Sequence, residues 1–130
     1  MERGIAVALA LLGLAGCVFP SEEFQPTPCS PPGRATYGTL LVRFPPVPSD
    51  EGLKVAGTCV ALKQGDHTVA TARFAADGNA TLNVPVSGPL YVSWVLPTPQ
   101  DHACAFTASS FLDLPGPTNV TLEYRGRVCH

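Results

Sequence analysis

The sequence predicts an all-β protein that contains one small antiparallel β-sandwich of about seven strands. Three observations support this fold class. Apolar and polar residues alternate with a period of two in most segments after residue 36, as they do in strands with one buried face. Turn-forming residues recur about every ten residues, and no segment after residue 20 keeps a helical spacing over three turns. We expect the sandwich to occupy residues 36–130, because ~95 residues bury enough apolar surface for one domain only.

The alternation is clearest in four segments, which are residues 39–44, 81–86, 90–96 and 120–125. Weaker strand patterns lie at residues 54–63, 68–74 and 104–111. Gly, Pro, Asp and Asn cluster between these segments, and they predict turns at residues 64–66, 77–79, 87–89 and 115–117.

An uncharged apolar run occupies residues 4–16, directly after Met1-Glu2-Arg3. The run is shorter than the ~20 apolar residues that a transmembrane helix needs. It is also apolar on every face, unlike the amphipathic helix of a soluble domain. We therefore interpret residues 1–16 as a signal peptide that directs export.

The segment Leu14-Ala15-Gly16-Cys17 resembles the lipobox of bacterial lipoproteins. The resemblance implies cleavage between Gly16 and Cys17, a diacylglyceryl group on the Cys17 thiol, and commonly an acyl group such as palmitate on the new amino terminus. Two or three chains give stable anchoring, which a single chain does not. In this family an Asp after the cysteine favours the inner membrane. Val18 at this position therefore favours the outer membrane, with the domain facing the periplasm or the cell surface.

Ordinary secretion is the other interpretation of the same segment, with cleavage after Ala15 and no lipid. The cysteine count favours lipidation, because five is odd and a secreted chain then leaves one thiol unpaired. If Cys17 carries lipid, the other four cysteines can form two disulfide bridges, which persist in an oxidising periplasm. Of the three possible connectivities, we expect Cys59–Cys104 across the sandwich and Cys29–Cys129 between the two ends of the domain.

Residues 17–35 are interpreted as the lipidated cysteine and a Pro-rich tether. The prolines of this segment disfavour both helix and strand pairing, and they favour extended polyproline conformations. Residues 18–28 would then form a spacer of roughly 35 Å, at ~3.1 Å per residue, before Cys29 joins the domain.

Residues 71–92 resemble the carboxypeptidase regulatory-like and transthyretin-like β-sandwich families. The resemblance rests on a strand, the Asp77-Gly78 turn, a second strand, a Pro/Gly turn at Gly88, and a strand that contains Tyr91. It implies an immunoglobulin-like or prealbumin-like sandwich with a structural or binding role rather than a catalytic one. We expect Asp77-Gly78 to supply the positive φ of a tight hairpin, and Gly88 that of the next reversal.

Charge and motifs exclude several function classes. Eight basic and ten acidic residues give a net charge of −2 without a basic cluster, so no nucleic acid is expected as a partner. Nucleophile and phosphate-loop motifs do not occur, so no catalytic residue is assigned. A metal site would require two loops and the C-terminus to bring together Asp66-His67, Asp101-His102 and His130. We therefore expect neither a metal nor a cofactor.

Aromatic side chains offer a candidate binding surface for carbohydrate, formed by Tyr37, Tyr91, Trp94 and Tyr124. Tyr91 and Trp94 lie on opposite faces of one strand, and Trp94 shares its face with Leu90, so Trp94 is expected in the core.

Together these observations predict a lipid-anchored protein of the cell envelope. Its β-sandwich is expected to be a non-catalytic binding or structural module, with the membrane and a protein or glycan as partners. The alternative is a small secreted enzyme, or a secreted disulfide-bonded β protein without an anchor.

Overall fold

The computed structural model describes residues 23–30, 33–47 and 53–130. The predicted signal peptide and Cys17 lie outside the described residues. Within them there is no helix, and eight strands form the fold. The strands are β1 (Thr39–Arg43), β2 (Cys59–Gln64), β3 (His67–Arg73), β4 (Asn79–Asn83), β5 (Gly88–Pro97), β6 (Cys104–Leu114), β7 (Asn119–Thr121) and β8 (Glu123–Cys129).

The strands form two sheets, a three-stranded sheet with the order β4-β1-β7 and a five-stranded sheet with the order β3-β2-β5-β6-β8. The predicted all-β sandwich is confirmed. Its pairs are antiparallel except for β1 and β7, which run parallel. Only β2–β3 and β5–β6 are consecutive strands paired in one sheet, since every other connection changes sheets.

The segment 120–125, predicted as one strand, is two strands in two sheets. β7 pairs with β1 and β8 pairs with β6, and Leu122 stands at the crossing with 2% of its surface exposed. The Leu122 backbone N–H donates to the Arg43 carbonyl oxygen at 2.9 Å. Val120, Leu122 and Tyr124 all pack against the core, so the alternation continues through the change of sheet.

The core lies between the two sheets and is centred on Trp94, which is fully buried as predicted. The rings of Trp94 and Phe44 pack edge to face, with their centroids 4.7 Å apart and an angle of 74° between their planes. The indole Nε1–H donates to the Thr58 hydroxyl oxygen at 2.8 Å, so this buried donor is satisfied.

Turn glycines have the predicted backbone conformation, but the two strands on either side of one turn do not pair with each other. Gly65 has a φ of 59° in the two-residue turn between β2 and β3. Gly78 has a φ of 81°, and its turn is closed by the Asp77 carboxylate accepting from the Asn79 backbone N–H at 3.0 Å. The predicted hairpin at Asp77-Gly78 is wrong, because β3 and β4 belong to different sheets. Gly88 also has a positive φ, 113°, and begins β5 after a change of sheet.

All four cysteines that follow Cys17 form disulfide bridges, but the predicted connectivity is wrong. The bridges are Cys29–Cys59 and Cys104–Cys129. Cys59 and Cys104 begin strands of the same sheet, with β5 between them, so two strand spacings of ~4.8 Å place them beyond disulfide reach. Cys104 instead lies directly opposite Cys129 in the β6–β8 register, with 4.0 Å between their Cα atoms.

Candidate functional site

Residues 23–30, which we call the N-terminal strap, lie against the five-stranded sheet. The Phe24 backbone N–H donates to the His102 carbonyl oxygen at 2.8 Å, and its ring stacks on His130 at 4.2 Å. Further along, the Thr27 backbone N–H donates to the Val95 carbonyl oxygen at 3.1 Å. The Val95 N–H donates back to the Thr27 hydroxyl at 2.8 Å. The strap therefore lies along the same side of β5 as β2, but against the part of β5 that extends past the start of β2.

The second half of the strap is fixed to β2 and β3. Cys29 is bridged to Cys59 at the start of β2. The buried Thr71 hydroxyl of β3 accepts from the Ser30 backbone N–H at 2.9 Å and donates to the Ser30 carbonyl oxygen at 2.8 Å. Beyond the strap, the Gly33 carbonyl oxygen accepts from the side chain of Asn83 at 2.9 Å, so the chain passes on to the three-stranded sheet.

The docked strap shortens the spacer that the sequence predicts. In the described part, residues 23–30, there is no regular strand, as the proline composition predicts. Single hydrogen bonds to the side of an existing strand are still available to an extended chain. Phe24 and Thr27, an aromatic and a β-branched residue among prolines, are the sequence signal that could have indicated docking. Residues 23–30 and Gly33 therefore belong to the folded unit.

The residues considered for a metal site are dispersed. Asp66 and His67 lie at the β2–β3 turn, whereas Asp101 and His102 lie in the β5–β6 loop. The ten residues of β5 separate these ends by roughly 30 Å. His102 instead contacts Glu23 of the strap, with 3.8 Å between Nδ1 and Oε2. No group of three potential ligands gathers within the part of the chain that the structure describes.

The aromatic residues considered for carbohydrate binding do not form a common face. Trp94 is buried, and Tyr124 packs inward with its ring centroid 6.0 Å from that of Phe44. Tyr91 lies opposite Phe111 on the outer face of the sheet, with ring centroids 5.4 Å apart, and 77% of the Phe111 surface is exposed. Sequence reasoning missed Phe111 as the partner, because the β5–β6 register was not known.

A cleft of about 610 Å³ opens at the end of the sandwich where β5 ends and β6 begins. It is lined by Leu53, Lys54, Leu96, Pro97, Thr98, Pro99, Gln100, Phe106 and Arg127. We call it the Lys54–Arg127 cleft. Pro99 and Gln100 also line a neighbouring depression that contains Glu23 of the strap, so the cleft and the strap lie at the same end of the molecule. Sequence reasoning did not single out either Lys54 or Arg127.

The chain matches no protein-family model, no curated protein and no solved structure. Among the residues that the structure describes, no helix has the length and apolarity to cross a membrane. The fold and its bridges define a small disulfide-bonded β-sandwich that carries a docked N-terminal strap, and the functional argument rests on this chain's own residues.

Proposed function

We propose that the protein is a lipoprotein of the bacterial cell envelope, anchored through Cys17, whose β-sandwich is a non-catalytic binding or structural module. The observation that carries the proposal is the use of cysteine. Two bridges use four of the five cysteines, so Cys17 has no cysteine left to pair with in the same chain. An unpaired cysteine directly after a signal-like apolar run is the residue that lipoprotein processing modifies.

The position of the strap supports a close attachment to the membrane. Phe24 is hydrogen-bonded to the β5–β6 loop, so the described chain starts at that end of the sandwich. Six residue steps from Cys17 to Glu23 span at most about 20 Å, even when fully extended. Lipid on Cys17 would therefore hold the β5–β6 end near the bilayer. With Val18 after the cysteine, the outer membrane is the proposed location.

The distribution of polar groups supports a binding or structural role. The two Asp-His pairs lie at opposite ends of β5, too far apart to act on one substrate group. The resemblance of residues 71–92 to regulatory-like and transthyretin-like sandwiches points to the same class. The partner in the envelope would then be a protein or a glycan.

Mass spectrometry of the intact protein from the membrane fraction tests the anchor. For the wild type we expect a chain that begins at Cys17, with added mass for a diacylglyceryl group and, where present, a third acyl chain. Cys17→Ser removes the only proposed lipid acceptor, so we expect the protein to lose that mass and to leave the washed membrane fraction.

The double change Cys104→Ser and Cys129→Ser is the matched control, because it removes thiols without touching the anchor. We expect this variant to keep the lipid mass. A wild-type chain that begins at another residue, or a Cys17→Ser protein that stays in the membranes with unchanged mass, would show that the anchor is wrong.

A further inference from the structure

We propose that the Lys54–Arg127 cleft binds an amphipathic anion, that is, a phosphate or carboxylate group joined to an apolar chain or ring. The site is separate from Cys17, and the proposal holds whether or not that residue carries lipid. It assigns a ligand class to the sandwich itself.

The inner part of the cleft is apolar and continuous with the core. Leu53, Leu96 and Phe106 are partly buried and pack against the core cluster. Phe106 lies directly opposite Arg127 in the β6–β8 register, and cross-strand neighbours share a face of the sheet. Arg127 therefore projects from the core-facing side of the sheet, beside the apolar residues. A volume of about 610 Å³ is in the range of sites for small organic ligands.

The described residues that line the cleft carry charge of one sign. Among them are Lys54 and Arg127 but no carboxylate, although acidic residues outnumber basic ones in the chain. Within the described residues, neither cation forms an ion pair. The acids of the neighbouring depression have other partners: Glu23 contacts His102, and the Asp101 carboxylate accepts from the Ala103 backbone N–H at 3.0 Å.

These two properties together select the ligand class. The planar guanidinium group of arginine matches the paired oxygens of phosphate or carboxylate, and a lysine adds a second positive charge that adapts to the anion. An uncharged apolar ligand would leave both cations unused, and a metal ion would be repelled by them. The apolar floor is matched only if the anion also carries a hydrocarbon group.

Isothermal titration calorimetry of the purified full-length protein in a nonionic detergent tests the proposal with phenyl phosphate. This probe combines a ring with a phosphate and does not partition into micelles. We expect saturable binding to one site. Inorganic phosphate lacks the ring and benzyl alcohol lacks the charge, so we expect each to bind at least about tenfold more weakly.

Lys54→Gln and Arg127→Gln each remove one positive charge from the cleft, and we expect each to weaken the binding of phenyl phosphate about five- to tenfold. The matched controls are Lys63→Gln on β2 and Arg125→Gln on β8, which lie outside the cleft lining and are expected to leave affinity unchanged. The near-ultraviolet circular dichroism of Trp94 verifies that each variant is folded. Lys54 is exposed, so its replacement keeps the test valid if Arg127→Gln does not fold.

Dihexanoyl phosphatidic acid distinguishes a lipid headgroup from a free amphipathic anion. Because detergent micelles would take it up, it is titrated below its micelle concentration into detergent-free Cys17→Ser protein, with phenyl phosphate measured in the same way. Tighter binding than phenyl phosphate, lost in Lys54→Gln, assigns the cleft to a lipid headgroup. Weaker binding assigns it to a free aromatic or short-chain anion. No saturable binding of either probe would overturn the proposal, and so would binding that is equal in the wild type and both cleft variants.

Discussion

The hydroxyl of Thr71 is the polar contact that joins the strap to β3. It is 4% exposed and makes two hydrogen bonds with the backbone of Ser30. Thr71→Val keeps the shape of the side chain but leaves the Ser30 N–H and carbonyl without this partner. We expect the free energy of unfolding to fall by about 1–3 kcal/mol, measured by urea denaturation with the bridges intact.

Thr68→Val is the control for this change, since Thr68 is an exposed threonine of the same strand. A surface substitution of this kind is expected to alter the free energy of unfolding by no more than about 0.5 kcal/mol. Equal effects of the two substitutions would mean that the Ser30 contacts contribute nothing to the fold, and that the Cys29–Cys59 bridge alone holds this half of the strap.

At the scale of the strand, Leu122 packs into the core at the position where the chain passes from one sheet to the other. Its side chain is buried, and its N–H donates to Arg43 of β1 while the following residues pair with β6. Leu122→Ala removes apolar contacts that both sheets share. We expect it to lower the free energy of unfolding by about 2–5 kcal/mol in urea denaturation, as for other buried leucines.

Val128→Ala is the comparison for Leu122→Ala, because Val128 lies near the end of β8 with 41% of its surface exposed. We expect a loss of no more than about 0.5 kcal/mol for Val128→Ala. A Leu122→Ala protein as stable as Val128→Ala would mean that the sheet crossing is not a packed part of the core.

The sequence predicts elements better than it predicts their partners. Alternation identifies strands because it reports only which face of a segment is buried, and it correctly places Trp94 in the core. The same rule cannot separate β7 from β8, since both sheets bury the same face of residues 120–125. The alternation also does not reveal which strands are neighbours, so it could not predict the bridge between Cys104 and Cys129.

For the same reason, the sequence does not predict the candidate cleft. Lys54 precedes β2 and Arg127 lies on β8, and the sheet order brings them to one end of the sandwich. Each residue alone is an ordinary surface cation. The docking of the strap was not predicted for a different reason. The proline content of its segment argues against strands but not against isolated hydrogen bonds from Phe24 and Thr27.

At the scale of the whole molecule, the proposed anchor and the strap together would define an orientation. The path from Cys17 to Glu23 is short, and the strap places Glu23 beside the β5–β6 loop. The β2–β3 turn lies roughly 30 Å away, at the other end of β5. If Cys17 carries lipid as proposed, the Lys54–Arg127 cleft would therefore lie close to the bilayer, and the exposed Phe111 toward the distant end.

Paramagnetic relaxation of backbone amides measures this orientation in the lipidated protein, embedded in lipid nanodiscs with gadolinium-bearing headgroups. Relaxation falls with the sixth power of distance, so a further separation of roughly 30 Å predicts an enhancement at His102 at least about tenfold larger than at Gly65. An insertion of about twelve Gly and Ser residues before Glu23 gives the domain a flexible linker, and we expect the contrast between the two amides to diminish. Equal enhancement at His102 and Gly65 without the insertion would mean that the strap does not orient the sandwich, even if Cys17 carries lipid.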